Sequence, residues 1–242
     1  MDEDFYRNNA EWYAALVAAW QEPTEAAIRA LIGPLAGGDV VDIASGVGSS
    51  LPVLGSLGAG RLFAVEPSQA MRAGLMATIA GDAELLRRTT IVPAAFPDAA
   101  AVLPPRWSAA VMLNAIGHLD DAARAILWET LHERLVPGGR FLVSLQPPER
   151  AVAVPWTDFG EVAVGEHRIT TRGQADPVDD THVVWTMEWT LRNAAGAALT
   201  TRTATHLWRA LSRDDLAGEA AGHGLSPVAD GDGAAVLAFE RC

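Results

Sequence analysis

Residues 40–54 read VVDIASGVGSSLPVL, which sets Asp42, Ala44, Ser45, Gly46 and Gly48 close together at the end of an apolar run. Small residues in such a loop let backbone N–H groups approach a ligand whose place a larger side chain would take. The next apolar run, RLFAVEP (61–67), ends in Glu66. A carboxylate about 20 residues past such a loop can accept hydrogen bonds from both hydroxyls of a ribose. Loop and carboxylate together predict an adenosine-type cofactor lying at the carboxyl ends of two neighbouring strands. A dinucleotide fingerprint would need a third glycine at position 51, where the sequence has Leu51, so the nicotinamide reading loses a required element.

These residues need a frame, and the alternation of segments supplies one. Helical spacing of apolar side chains covers 10–20 and 23–36, with Pro23 and Thr24 suited to a helix start. Short buried-strand runs follow at 39–44, 61–67, 89–94, 107–116 and 139–146, separated by helical stretches that include 68–80 and 120–139. Strands apolar on both faces that alternate with helices predict a doubly wound α/β sheet, mostly parallel. From 181 to 193, THVVWTMEWTLRN alternates with period two, and 199–211 is compatible with the same pattern, which predicts an antiparallel hairpin inserted over the α/β core. A helix at 212–224 with Ser212 as N-cap and two short strands around a Gly-rich turn close the chain.

The pattern Asp42-x-Ala44-x-Gly46-x-Gly48 resembles the first motif of class I S-adenosylmethionine-dependent methyltransferases, with Ala44 in place of the first glycine. AVEPSQAMR (64–72) is similar to the family's second motif, LHERLVPGGRFLVS (131–144) to its segment leading into the fifth strand, and DGDGAAVLAFERC (230–242) to its antiparallel seventh strand. The resemblance covers about 36–146 and 212–242. It implies a Rossmann-like, seven-stranded, mostly parallel sheet with an antiparallel last strand, plus the antiparallel β insertion. It also implies that S-adenosylmethionine is held by Asp42, Ala44, Ser45, Gly46, Gly48, Glu66, Pro67 and Met71. The third motif departs from the family: Pro93, Ala94 and Ala95 stand where an acid usually binds the adenine, so either backbone groups near Ala95 and Phe96, with stacking, hold it or the cofactor binds more weakly than is usual in the family.

LNAIGHLDD (113–121) resembles the Ser-x-Ile-Gly-His stretch of nucleotide-sugar N,N-dimethyltransferases, with Asn114 in the serine's place beside the cofactor and His118 near the methyl group. An imidazole there is a candidate general base. The N-terminal Tyr6, Arg7, Trp12 and Tyr13 resemble the helix that closes over the cofactor in small-molecule members of the family. Tyr13 is the expected cofactor contact and Tyr6 faces the substrate. Trp156 and Trp185 are expected in an aromatic substrate wall, with Trp189 and Trp208 beside them. His167 and His206 fall on insertion strands and read as ordinary surface or strand histidines.

Composition narrows the partners. Thirty acidic against 18 basic residues give a net charge of −12 over 242 residues, which argues against nucleic acid and anionic lipid. No apolar run reaches the roughly 18 to 20 residues of a membrane span, the start MDEDFYRNNAEWY lacks the basic residues of a secretory signal, and the only cysteine is Cys242. A cytoplasmic protein is the expectation, with no metal site. The chain reads as one methyltransferase domain over 1–242, in which 1–36 covers the cofactor site and 150–211 forms a lid or substrate wall. The expected reaction is methyl transfer to nitrogen or oxygen of a small molecule, a natural product or amino sugar. Two rivals stay open: a fold member that catalyses a non-methylating step such as cyclisation, and a non-catalytic binding module. The unpaired edge of the insertion points to a homodimer.

Overall fold

The computed structural model of the chain describes residues 3–228 and 236–242. It opens with two helices, α1 (Glu3–Ala19) and α2 (Gln21–Ile32). Helix α2 begins two residues before Pro23, which therefore sits inside its first turn, where its missing N–H goes unneeded. The α/β core then runs β1 (Val40–Ile43), α3 (Leu51–Ser56), β2 (Leu62–Val65), α4 (Gln69–Ala80), α5 (Ala83–Arg88), β3 (Thr89–Val92), β4 (Trp107–Met112), α6 (Asp121–Arg134) and β5 (Leu135–Ser144). Four antiparallel strands come next: β6 (Val154–Val164), β7 (His167–Pro177), β8 (His182–Arg192) and β9 (Ala198–Arg209). Helix α7 (Arg213–Gly222), β10 (Leu225–Pro227) and β11 (Val236–Arg241) complete the chain. Most of the expected Gly-rich turn between the last two strands lies outside the described residues.

The larger sheet has seven strands in the order β10-β11-β5-β4-β1-β2-β3. β1 pairs in parallel with β2 and β4, whereas β11 runs antiparallel to both β5 and β10. Alternate residues of β1 feed opposite layers: Val41 and Ile43 enter one apolar core with Trp107, Trp128 and Phe141, and Val40 enters the other with Ile28, Leu54 and Leu62. Apolar burial on both faces is what makes these strands read as continuous hydrophobic runs. Where β5 was expected to start at 139, the ladder begins at Leu135, so the Pro-Gly-Gly segment lies within the strand and Gly138 takes a left-handed φ of 74°. Ser212 caps α7 in a capping box with Asp215. Glu219 of α7 accepts from the buried Arg124 and from the Trp128 indole of α6, which locks the last two helices together.

The insertion is a four-stranded sheet, β6-β7-β8-β9, rather than the hairpin expected from the sequence. β7 lacks a hydrophobic alternation because its buried positions Thr171, Gly173 and Ala175 are small, and β6 because it is mostly exposed and its pairing with β7 is interrupted by two register shifts. A Cβ on Gly173 would stand 2.7 Å from the Phe159 ring and 2.9 Å from the Met187 sulfur, so only glycine fits beneath those larger neighbours. The inner face of this sheet packs on α1 through Phe5, Tyr6, Trp185, Trp189 and Trp208, together with Met71 of α4. Helix α1 is bent at Asn9, whose side chain donates to the Phe5 carbonyl and accepts from Arg202 of β9. The bend is thus tied to the insertion and directs the first turns of α1 between the two sheets.

Candidate active site

The site forms at the carboxyl ends of the central parallel strands. After β1 the backbone turns through Ala44, Gly46 and Gly48, with φ values of 58°, 56° and 76°. A left-handed φ costs a residue with a Cβ roughly 1 kcal/mol, which accounts for the glycines at 46 and 48. Asp42 is fully buried beneath this loop and accepts a hydrogen bond from the Ser50 hydroxyl. Burial pushes its carboxyl up to about 7, the Ser50 bond opposing the rise and the neighbouring Glu66 adding to it. Glu66, at the end of β2, accepts from the Gly46 N–H at 2.9 Å and from the Ser68 N–H at 2.7 Å. Burial raises its carboxyl as well, against the pull of those two N–H groups. Glu66 therefore clamps the glycine loop to the start of α4.

Across the sheet, Asn114 follows β4 with a φ of 54° and donates its N–H to Ser144 Oγ at 2.6 Å, tying the ends of β4 and β5 together. A short turn, Ile116–His118, then carries the histidine. His118 Nε2 is 2.8 Å from the Tyr6 hydroxyl. Its ring also stands 4.9 Å from Trp208 and 5.9 Å from His206, centroid to centroid. Desolvation, reinforced by His206, lowers the His118 imidazole to about 3, so it is neutral near pH 7, and in the tautomer protonated at Nδ1 its Nε2 accepts from the Tyr6 hydroxyl. Asp120 caps α6 through its own carboxylate, which leaves His118 no capping task. Gly117 makes room for Trp208, since a Cβ there would fall 2.2 Å from the indole.

A cavity of about 340 Å³ joins these parts. One wall is Asp42, Ala44, Ser45, Gly46 and Asn114, with residues 144–147 beyond them. Tyr6 and Tyr13 enter from α1, with Trp20 at its end, and Phe159, Trp185, Met187, Trp189, His206 and Trp208 come from the insertion. Burial holds the Tyr13 hydroxyl well above its ordinary value, and the Glu66 carboxylate adds to the effect. Of the residues singled out from the sequence, the cavity gathers Tyr6, Tyr13, Asp42, Ala44, Ser45, Gly46, Asn114 and Trp185. His118 sits behind Tyr6. Gly48 packs against Leu51 and Leu75, Met71 is in the core beneath α1, and Phe96 is in the core of the large sheet. Glu66, Pro67 and Ala95 also lie off the cavity wall, Glu66 behind Gly46.

Two expectations are corrected. Trp156 does not line the wall: an irregularity in the β6–β7 register falls between Val154 and Thr157, and Trp156 lies 42% exposed with the Arg172 guanidinium 4.6 Å from its ring centroid. Arg172 pairs with Glu188 on the outer face of the sheet. His206, read from the sequence as an ordinary strand histidine, faces the cavity. The signal was present, because His206 and Trp208 are two apart on β9 and so share a face. Which face of β9 turns inward was not legible without the partner strands.

A methyltransferase domain model matches residues 17–229. The chain belongs to that family. No curated protein matches the sequence. Among solved structures, this methyltransferase is similar to the CcbJ methyltransferase from Streptomyces caelestis, at 18% identity over 100% of both chains with a TM-score of 0.69. It also resembles S-adenosylmethionine-bound CalS10, an amino pentose methyltransferase from Micromonospora echinaspora involved in calicheamicin biosynthesis: 16% identity, 92% of this chain, 90% of that one, TM-score 0.67. The glycopeptide N-methyltransferase MtfA, complexed with S-adenosylmethionine, is 26% identical over 92% of each chain with a TM-score of 0.55. The methyltransferase fold accounts for the seven-stranded sheet with its one antiparallel strand. No described helix is long and apolar enough to cross a membrane.

Proposed function

We propose that this chain transfers a methyl group from S-adenosylmethionine to a nitrogen or oxygen of a small molecule of the natural-product or amino-sugar kind. The observation that carries the reading is the shared cavity, in which the Asp42–Gly46 loop faces the same space as Tyr6, whose hydroxyl is hydrogen-bonded to His118 behind it. CalS10 and MtfA support the choice of donor and acceptor class, since both are described with S-adenosylmethionine and act on amino pentose and glycopeptide substrates.

The residues present fit that cofactor. A buried carboxyl raised to about 7, as at Asp42, gains more from a cationic partner than a solvated one does, so it suits the ammonium of the methionine moiety. Glu66 uses one acceptor site on each oxygen for the Gly46 and Ser68 N–H groups, and a carboxylate offers about four, which leaves capacity for ribose hydroxyls. When bound, the sulfonium supplies an electrophilic methyl group for in-line displacement.

The chain's own part is to place the acceptor and take its proton. The Tyr6 hydroxyl donates to neutral His118, so its oxygen lone pairs are available to an N–H or O–H group of the acceptor. As an O–H acceptor is methylated its oxygen becomes strongly acidic, and its proton moves to Tyr6 Oη while the Tyr6 proton moves to His118 Nε2; an amine acceptor reacts as the neutral amine and its methylated product keeps the proton as an ammonium. The insertion serves as substrate wall, and α1 closes the cavity from above. The open edge of β9 pairs with a second copy of the chain, and a monomeric mass by light scattering at every concentration would rule this out.

Isothermal titration with S-adenosylmethionine and S-adenosylhomocysteine, beside a Glu66→Ala variant, tests the cofactor assignment. Saturable binding weakened at least about tenfold by the variant, roughly 1.4 kcal/mol, is the expected outcome. Absence of binding by either ligand to the wild type would refute it.

A further inference from the structure

Eight of the sixteen Phe, Tyr and Trp side chains of the chain line the one cavity, including both tyrosines and four of the eight tryptophans. None of the 18 arginines lines it, and the chain has no lysine. Several arginines on elements that border the site have partners away from the cavity wall. Arg72 donates to the backbone carbonyls of Glu66 and Pro67, Arg202 to Asn9, and Arg209 pairs with Asp121. Arg124 is bound to Glu219. Besides the two tyrosines, the ionisable side chains on the wall are Asp42 and His206.

We propose that the acceptor is an aryl-bearing amine that carries no phosphate. The inference rests on the methyltransferase reading and narrows its substrate class. It excludes an amino sugar still linked to a nucleotide diphosphate, the acceptor that the resemblance of residues 113–121 would suggest. A diphosphate carries two or more negative charges, and burying an anion without a cationic partner costs several kcal/mol. Proteins meet that demand with Arg or Lys in bidentate or charge-assisted bonds, and this wall offers neither. The surplus of 12 negative charges adds a field that disfavours approach of a polyanion and favours a cation.

The wall instead suits a flat ring and an ammonium. Phe159 and Trp185 meet edge to face, with centroids 5.6 Å apart, and Trp208 stands edge-on to His118 at 4.9 Å. An aryl group inserted among them buries apolar area and adds stacking, while an ammonium is drawn to the ring faces.

The test uses the full chain saturated with S-adenosylhomocysteine. Tryptamine, hexylamine and thymidine diphosphate are titrated in turn by calorimetry, at about 50 and 300 mM salt. Tryptamine is expected to bind about tenfold more tightly than hexylamine, one aromatic contact's worth, and that ratio is expected to change little with salt because the two amines carry the same charge. Trp185→Leu is expected to abolish most of that preference. Thymidine diphosphate is expected not to displace tryptamine. Tight, salt-dependent binding of thymidine diphosphate would overturn the proposal, and so would tryptamine binding no better than hexylamine. Either result with S-adenosylhomocysteine still bound defeats the substrate class alone. Failure of S-adenosylhomocysteine to bind defeats the methyltransferase reading beneath it.

Discussion

Replacing Asp42 with asparagine separates the stability of the fold from its cofactor chemistry. The native carboxyl titrates near 7 against an ordinary 3.8, a difference of about 3 pKa units that corresponds to about 4 kcal/mol. Because the folded-state value is the higher one, the native protein holds the proton more tightly than the unfolded chain. Its contribution to stability is complete below about pH 4 and is lost as pH rises through about 7. Of that loss, about 3 kcal/mol falls between pH 5 and pH 8. Asparagine keeps the side-chain shape and still accepts the Ser50 hydroxyl, but it has no charge to bury. Urea unfolding of wild type and Asp42→Asn at both pH values should therefore show the variant gaining about 3 kcal/mol relative to wild type on going from pH 5 to pH 8. The same variant should bind S-adenosylhomocysteine at least about tenfold more weakly at pH 8, having no carboxylate for an ammonium. A stability difference that stays flat with pH would refute the buried, proton-retaining state of Asp42. Unchanged affinity would refute its place at the cofactor.

The remaining predictions concern the wall and its supports. Tyr6→Phe removes the hydroxyl that meets His118 and leaves a partly covered imidazole nitrogen without its donor; kcat/KM should fall about 10- to 100-fold, by 1–3 kcal/mol, with S-adenosylhomocysteine affinity within threefold of wild type. Equal loss of cofactor binding would argue against a role toward the acceptor. Gly117→Ala forces a methyl group into the Trp208 indole, which is almost fully buried, and should destabilise the protein by about 1–3 kcal/mol in thermal or urea melts, with altered tryptophan fluorescence. An unperturbed variant would show that the turn and β9 are not in firm contact. Ser50→Ala removes the bond that opposes the rise at Asp42, so the carboxyl should titrate still higher and the pH 5 to pH 8 loss of stability should steepen; a shallower slope would contradict the sign assigned to that bond.

Much of the α/β core was legible because each layer writes its own period. Strands buried on both faces read as apolar runs, the loop at 42–48 announced itself through residues that tolerate a left-handed φ, and Ser212 marked the start of α7 by its capping chemistry, whereas the Pro-Gly-Gly segment fell inside β5. The sequence also placed Tyr6, Tyr13, Asp42, Asn114 and Trp185, which the structure gathers around one cavity. What it left undecided depends on pairing. A strand's inner face is chosen by its neighbours' register, so Trp156 turned outward beside Arg172 and His206 turned inward beside His118 with no local signal to distinguish them. β7 escaped notice because its inward Thr171, Gly173 and Ala175 are kept small, Gly173 to fit under Phe159, Trp185 and Met187, a demand that exists only once the sheet is assembled, and β6 because its mostly exposed strand is broken by register shifts. Likewise, the 2.8 Å contact between Tyr6 and His118 joins residues 112 positions apart. Composition alone determined that the protein has many acids, many tryptophans and few cations. Only the tertiary structure decided that four of the eight tryptophans would collect in one cavity and the arginines outside it, because burial in a low-dielectric space favours rings and excludes unpaired charge.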